Sequence, residues 1–253
     1  MRPNRVKQSW RDGQPVRANW LLSGDPFIAE VMAHSGVDAI VIDMQHGCGI
    51  GPERAIACLQ AINTTATVPF VRVPWNDPVH LQYVLDAGAA GVIVPLVNTA
   101  AEAARAAGAC RYPPVGFRSA GPNRVTLGDG ADYMERANDE VACLVMIEHI
   151  DAVKAIEEIA RVPGLDGFFI GPGDLALSLG LPPAADVADP VHVAACAHVR
   201  DVGLANGLVV GIATAGPEEA RRRVEEGYAF CPFGSDWGFV AQGAKAALAT
   251  FDD

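Results

Sequence analysis

Short apolar runs alternate along the chain with longer, Ala-rich stretches in which apolar positions recur at helical spacing. Eight runs read as strands: residues 17–22 (RANWLL), 37–43 (VDAIVID), 67–73 (TVPFVRV), 91–95 (GVIVP), 141–147 (VACLVMI), 166–171 (DGFFIG), 207–212 (GLVVGI) and 228–233 (YAFCPF). Each is followed by a helical stretch: 25–35, 52–63, 77–87, 99–109, 150–160, 189–206, 216–226 and 237–250. The runs are continuous rather than alternating, as in parallel strands covered on both faces. Eight strand–helix units in series predict an α/β fold with a parallel sheet. Ser23 and Asp25-Pro26 open one helix and Asn76-Asp77-Pro78 another. Gly36, Gly88, Gly164 and Gly227 stand just past helical patterns, where a C-terminal cap is expected. The segments HSGVDAIVI, DAGAAGVIV, VPGLDGFFI and EEGYAFCPF each read helix end, glycine, strand. This near-repetition predicts one closed (β/α)₈ barrel over residues 1–253, and a chain of 253 residues has the usual size for it.

The longest interruption is 110–140, which opens as RYPPVGFRSAGPNR and ends in an acidic helical stretch. It follows a helix, so its first part is expected to wrap toward a neighbouring subunit or to extend that helix. The formal charge of −11 disfavours a phosphate backbone as partner. Arg2, Arg5, Lys7 and Arg11 are the best candidate for a local basic patch, and they read as a solvated terminal segment. The six cysteines include no C-x-x-C pair and read as reduced, mostly buried thiols of a cytoplasmic protein. No run of about 18 apolar residues exists to cross a membrane.

In such barrels the chemistry sits at the carboxyl ends of the strands. Those ends supply Asp43, Gln45 and His46, then Arg72, then Glu148, then Gly171-Pro172-Gly173-Asp174, and finally Thr214, Ser235 and Asp236. Glu148 and Asp174, each read as one step past its strand, offer two hard oxygen ligands suited to Mg²⁺, Mn²⁺ or Co²⁺; a helix cap or salt bridge for each is the alternative. Gly173 allows close backbone approach, and free N–H groups at Asp174 can hold a small carboxylate. His46 suits a proton-transferring base. Arg72 ends an apolar strand and needs an anion, for which a 2-oxo acid or its enolate is fitting. The only lysines are Lys7, Lys154 and Lys245, none at a strand end. A Schiff-base mechanism is therefore disfavoured, and a metal must act as electron sink.

The stretches VDAIVIDMQHG, VPFVRVPWNDP, LQYVLDAGAAGVIVPLVNTAAEA, ACRYPPVGFRSAG, VMIEHIDAV and LDGFFIGPGDLALSLG span nearly the whole chain. Together they resemble the HpcH/HpaI aldolase family, metal-dependent pyruvate aldolases on a phosphoenolpyruvate/pyruvate-type barrel. The resemblance implies reversible aldol cleavage of 4-hydroxy-2-oxo acids to an aldehyde and pyruvate or hydroxypyruvate. It matches His46 to the catalytic base and Asp86 to the carboxylate that raises its basicity. It matches Arg72 to transition-state stabilisation, Glu148 and Asp174 to metal ligation, Gly173 and Asp174 to the substrate carboxylate, and Trp20 to the pocket wall. It also implies a homohexamer, a trimer of dimers, with the last helix exchanged between neighbours. The chain departs from many members at Gln45, where glutamate is common, and at Met146, where some place a substrate-contacting glutamine. Two other readings are a CoA-thioester lyase of the citrate-lyase-β or malyl-CoA type and a non-catalytic 2-oxo-acid-binding barrel. No basic groove for CoA phosphates is evident, and the set His46, Arg72, Glu148 and Asp174 argues against a passive barrel.

Overall fold

Eight parallel strands hydrogen-bond in sequence order and close on themselves in the computed structural model, which describes residues 1–251. The strands are β1 (Val16–Leu21), β2 (Ala39–Asp43), β3 (Val68–Arg72), β4 (Gly91–Val94), β5 (Ala142–Ile147), β6 (Gly167–Ile170), β7 (Val209–Ile212) and β8 (Phe230–Ser235). The expected (β/α)₈ barrel is therefore present; the final two residues of the 1–253 span lie outside the described residues. The helices are α1 (Arg5–Arg11), α2 (Pro26–Ala33), α3 (Pro52–Ile62), α4 (Pro78–Asp86), α5 (Ala100–Cys110), α6 (Val125–Asp129), α7 (Tyr133–Glu140), α8 (Ile150–Lys154), α9 (Ile156–Ala160), α10 (Pro172–Ser178), α11 (Pro190–Ala205), α12 (Pro217–Glu225) and α13 (Asp236–Ala249). Proline opens six of them, and Gly36, Gly88, Gly164 and Gly227 all have positive φ, as cap glycines do.

Period-2 alternation divides each strand between two cores. One set, including Val41, Phe70, Leu144, Met146, Phe169 and Phe230, fills the barrel interior; the other packs against the helices. The same parity carries Trp20, Asp43, Arg72, Met146 and Glu148 into the upper interior layer at the carboxyl ends.

Three sequence expectations change. The N-terminal segment is no solvated tail: α1 closes the barrel floor, with Val6 buried and Trp10 edge-on to Phe70 and Phe230 at 6.2 and 5.9 Å. Asn4 fixes it, donating from Nδ2 to the Ala90 and Glu140 carbonyls. The helix expected over 150–160 breaks into α8 and α9, because Ala155 leaves helical geometry. Residues 111–118 do not extend α5 but turn back on their own chain: the Phe117 N–H donates to the Gly108 carbonyl and the Arg118 N–H to that of Arg111. Among the described residues no helix is long and apolar enough to cross a membrane. All six cysteines are free, and only Cys48 is exposed.

Candidate active site

Asp43 organises one side of the barrel mouth. It ends β2 opposite Arg72 on β3 and is 0% exposed. Its Oδ1 accepts from Arg72 Nε at 2.9 Å and from the backbone N–H groups of Gln45 and His46 at 3.0 and 3.1 Å. Its Oδ2 accepts from Arg72 Nη2 at 2.5 Å. One carboxylate thus fixes both the arginine and the loop that carries the histidine. The loop is tight: a Cβ at Gly47 would collide with the Asp43 carbonyl and Ile50. The His46 ring is exposed, and no described residue hydrogen-bonds to it.

Asp43 therefore engages Nε and Nη2 of the Arg72 guanidinium, an anionic partner within the chain itself. The guanidinium lies 4.6 Å from the Trp20 ring centroid, a cation–π stack, and Trp20 meets Phe169 edge-on. Only Nη1 remains, 4.0 Å from the Met146 sulfur. Gln45 is half-buried, with Oε1 left without a hydrogen-bond partner.

Glu148 stands directly past β5 and is 2% exposed. Its Oε1 accepts from the Leu96 N–H at 2.7 Å, and no described group donates to Oε2. Leu96 holds that N–H in place from a left-handed conformation, φ 52°, unusual for a non-glycine residue. A Cβ at Gly171 would stand 2.5 Å from Glu148 Oε2 and 2.9 Å from its Cβ, so the first glycine of the GPGD turn makes room for this carboxylate. Burial pushes the Glu148 carboxyl up to about 7, against the pull of the Leu96 N–H; the Asp174 charge raises it further and Arg72 opposes. Asp174 lies not one step past β6 but in the first turn of α10, where it is exposed. No side chain caps α10, and the N–H groups of Gly173 and Asp174 make no hydrogen bond.

Asp86 is not brought to His46. It ends α4, and a helix running antiparallel to β3 returns its last residue to the floor of the barrel, opposite the mouth. There it accepts from Arg118 Nη2 at 2.6 Å. Arg118 is itself buried, stacked on Tyr112 and hydrogen-bonded to the Tyr133 hydroxyl. The remaining strand-end candidates are structural. The Thr214 hydroxyl donates to the Pro232 carbonyl, Ser235 caps α13, and Asp236 accepts from the Leu22 and Ser23 N–H groups. No cluster of three or more acidic, cysteine or histidine ligands exists among the described residues; the carboxylate pair stands alone. Sequence reasoning named Asp43 without a role and missed Leu96. The i, i+29 pairing of a strand-end Asp with a strand-end Arg was the signal available for the first.

A parallel barrel with acids, an arginine and a histidine at the carboxyl ends of different strands has the architecture of a barrel enzyme. The chain belongs to the HpcH/HpaI aldolase/citrate lyase family, whose model matches residues 18–242. It is 42% identical over 246 residues to the hydroxypyruvate/pyruvate aldolase of Rhizorhabdus wittichii, covering 97% of this chain and 98% of that protein. It is 34% identical over 259 residues to a 4-hydroxy-2-oxo-heptane-1,7-dioate aldolase of Escherichia coli, covering 98% and 95% of the two chains. The structure of an HpcH/HpaI aldolase/citrate lyase family protein from Burkholderia cenocepacia J2315 superposes with a TM-score of 0.92 at 33% identity, covering 99% and 100%. The chain is an aldolase, a carbon–carbon lyase.

Proposed function

We propose that the chain cleaves 4-hydroxy-2-oxo acids reversibly to an aldehyde and pyruvate or hydroxypyruvate, through an enolate, at a site where Glu148 and Asp174 bind one divalent cation. The observation that carries the metal reading is the Glu148 carboxylate, raised to about 7 first by burial and further by the nearby Asp174 charge, with no hydrogen-bond donor on Oε2. Two such acids repel each other until a cation lies between them. Oxygen donors suit Mg²⁺, Mn²⁺ or Co²⁺.

When bound, the cation would polarise the donor's carbonyl and stabilise negative charge on its oxygen. The chain's own residues do the rest. The free N–H groups of Gly173 and Asp174 donate to the carboxylate of the 2-oxo acid. Arg72, held by Asp43, directs Nη1 toward the developing enolate oxygen. His46 removes the proton from the C4 hydroxyl as the C3–C4 bond breaks and delivers it to C3 of the enolate to give the free 2-oxo acid; condensation runs the two transfers in reverse. Trp20 and Met146 wall the donor pocket, and Gln45 offers an unpaired amide oxygen beside His46. The similarity to a hydroxypyruvate/pyruvate aldolase supports both donors.

Assembly completes the site. Asp86, on the barrel floor, can serve only the His46 of a second copy. Past Asp236, α13 is largely exposed and carries Trp237, Val240 and Leu248 at 67, 64 and 65% exposure, which favours exchange of this helix within a homohexamer, a trimer of dimers. Free cysteines accord with a cytoplasmic setting.

The test is a screen of pyruvate and hydroxypyruvate against a panel of aldehydes after EDTA treatment, with Mg²⁺, Mn²⁺ or Co²⁺ added back. Condensation should vanish with EDTA and return with metal. Full activity in excess EDTA would remove the cation from the account.

A further inference from the structure

Two hydrogen bonds outside the carboxylate pair hold the helix that carries Asp174. The helix α10 has seven residues and no side-chain cap, so its own bonds fix its place weakly. At its first residue, the Pro172 carbonyl accepts from His192 Nε2 at 2.9 Å. His192 projects from α11 and is 1% exposed. A carbonyl only accepts, so the ring carries a proton on Nε2. At the other end, the Ser178 hydroxyl donates to the Leu175 carbonyl at 2.8 Å and accepts from the Ile150 N–H at 3.0 Å. Ile150 opens α8, two residues past Glu148. The Ser178 hydroxyl therefore ties the helix of one acid directly to the segment of the other.

We propose that His192 and Ser178 are positioning residues that pin α10 at both ends and so set the separation of Asp174 from Glu148. The inference rests on the metal-site reading above. Neither side chain is placed to touch a substrate; each acts on the backbone that aims a ligand. Partners beyond the ligands commonly carry about ten- to hundredfold in metal affinity.

The experiment measures Mn²⁺ binding to the full chain by electron paramagnetic resonance, and amide hydrogen exchange of α10 in the same preparations without metal. His192→Leu and Ser178→Ala should each weaken Mn²⁺ binding about tenfold or more. Exchange should speed up in α10 while that of the barrel strands stays unchanged. His192→Gln, whose amide can place a donor near ring Nε2, and Ser178→Thr, which keeps the hydroxyl, should restore both readings. His192→Asn is too short to reach Pro172 and should behave like the leucine variant, and its polar side chain covers the case in which leucine prevents folding. Unchanged Mn²⁺ affinity in the asparagine and alanine variants overturns the proposal, whether or not α10 exchange accelerates. If the unaltered chain binds no Mn²⁺, the metal reading fails, and the exchange comparison alone decides whether the two side chains pin the helix.

Discussion

Asp43 and Arg72 stand opposite each other on β2 and β3 and meet through two side-chain hydrogen bonds, with the carboxylate wholly buried. The same carboxylate holds the N–H groups of Gln45 and His46, so the arginine and the histidine loop share one anchor.

Asp43→Asn should therefore act on catalysis at a distance. The amide keeps an oxygen for the loop but removes the charge that holds the guanidinium. A displaced reacting group costs on the order of 100-fold, so kcat should fall by about that factor. Steady-state cleavage kinetics check it; a kcat within about threefold of the unaltered chain would show that Arg72 needs no such support.

Arg72→Ala should lower kcat on the order of 100-fold or more, as expected for lost stabilisation of developing charge. It also strands Asp43 as a buried, unpaired charge, at a cost of about 3 kcal/mol. Urea unfolding separates the two effects. Arg72→Lys retains the charge but not the fork, so it should regain only part of the activity.

Glu148 makes the metal-free chain sensitive to pH. Its carboxyl is raised from 4.5 to about 7 in the folded state, first by burial. The folded chain holds this proton over that window, so stability falls as pH rises from about 4.5 to about 7 and is level above it. The raised value corresponds to roughly 3 kcal/mol. Urea unfolding of EDTA-treated protein at pH 5 and pH 8 should show a smaller loss for Glu148→Gln than for the unaltered chain. Metal affinity should weaken below pH 7, as the proton competes for the carboxylate. Parallel pH profiles for the two proteins would contradict the assignment.

Trp10 should matter to stability and not to chemistry. Its ring closes the barrel floor against Phe70 and Phe230, far from the mouth. Trp10→Ala should cost about 3 kcal/mol in unfolding free energy and leave kcat within about twofold.

The barrel was legible because most strands are continuous apolar runs and most connections carry a proline or glycine signal. The mouth was legible because parallel strands put Arg72 and Glu148 at one end of the barrel whatever their partners. Asp86 was not placeable, since spacing says nothing of the end of the barrel to which a helix returns its last residue. Trp10 was missed because α1 is shorter than the amphipathic pattern needs to show itself, and its role depends on aromatic rings from β3 and β8. The partner of Arg72 was missed because the register of β2 against β3 decides it. Asp174 was misplaced because the turn after β6 enters α10 at Pro172, before the acid.

The most direct measurement is a crystal soaked in Mn²⁺ and pyruvate, read by anomalous scattering. One anomalous peak is expected within ligand distance of both Glu148 and Asp174, about 2.1–2.3 Å for such a cation, with the oxo acid beside it and Arg72 Nη1. Clear density for pyruvate with no anomalous signal there, or a peak that touches neither acid, would contradict it.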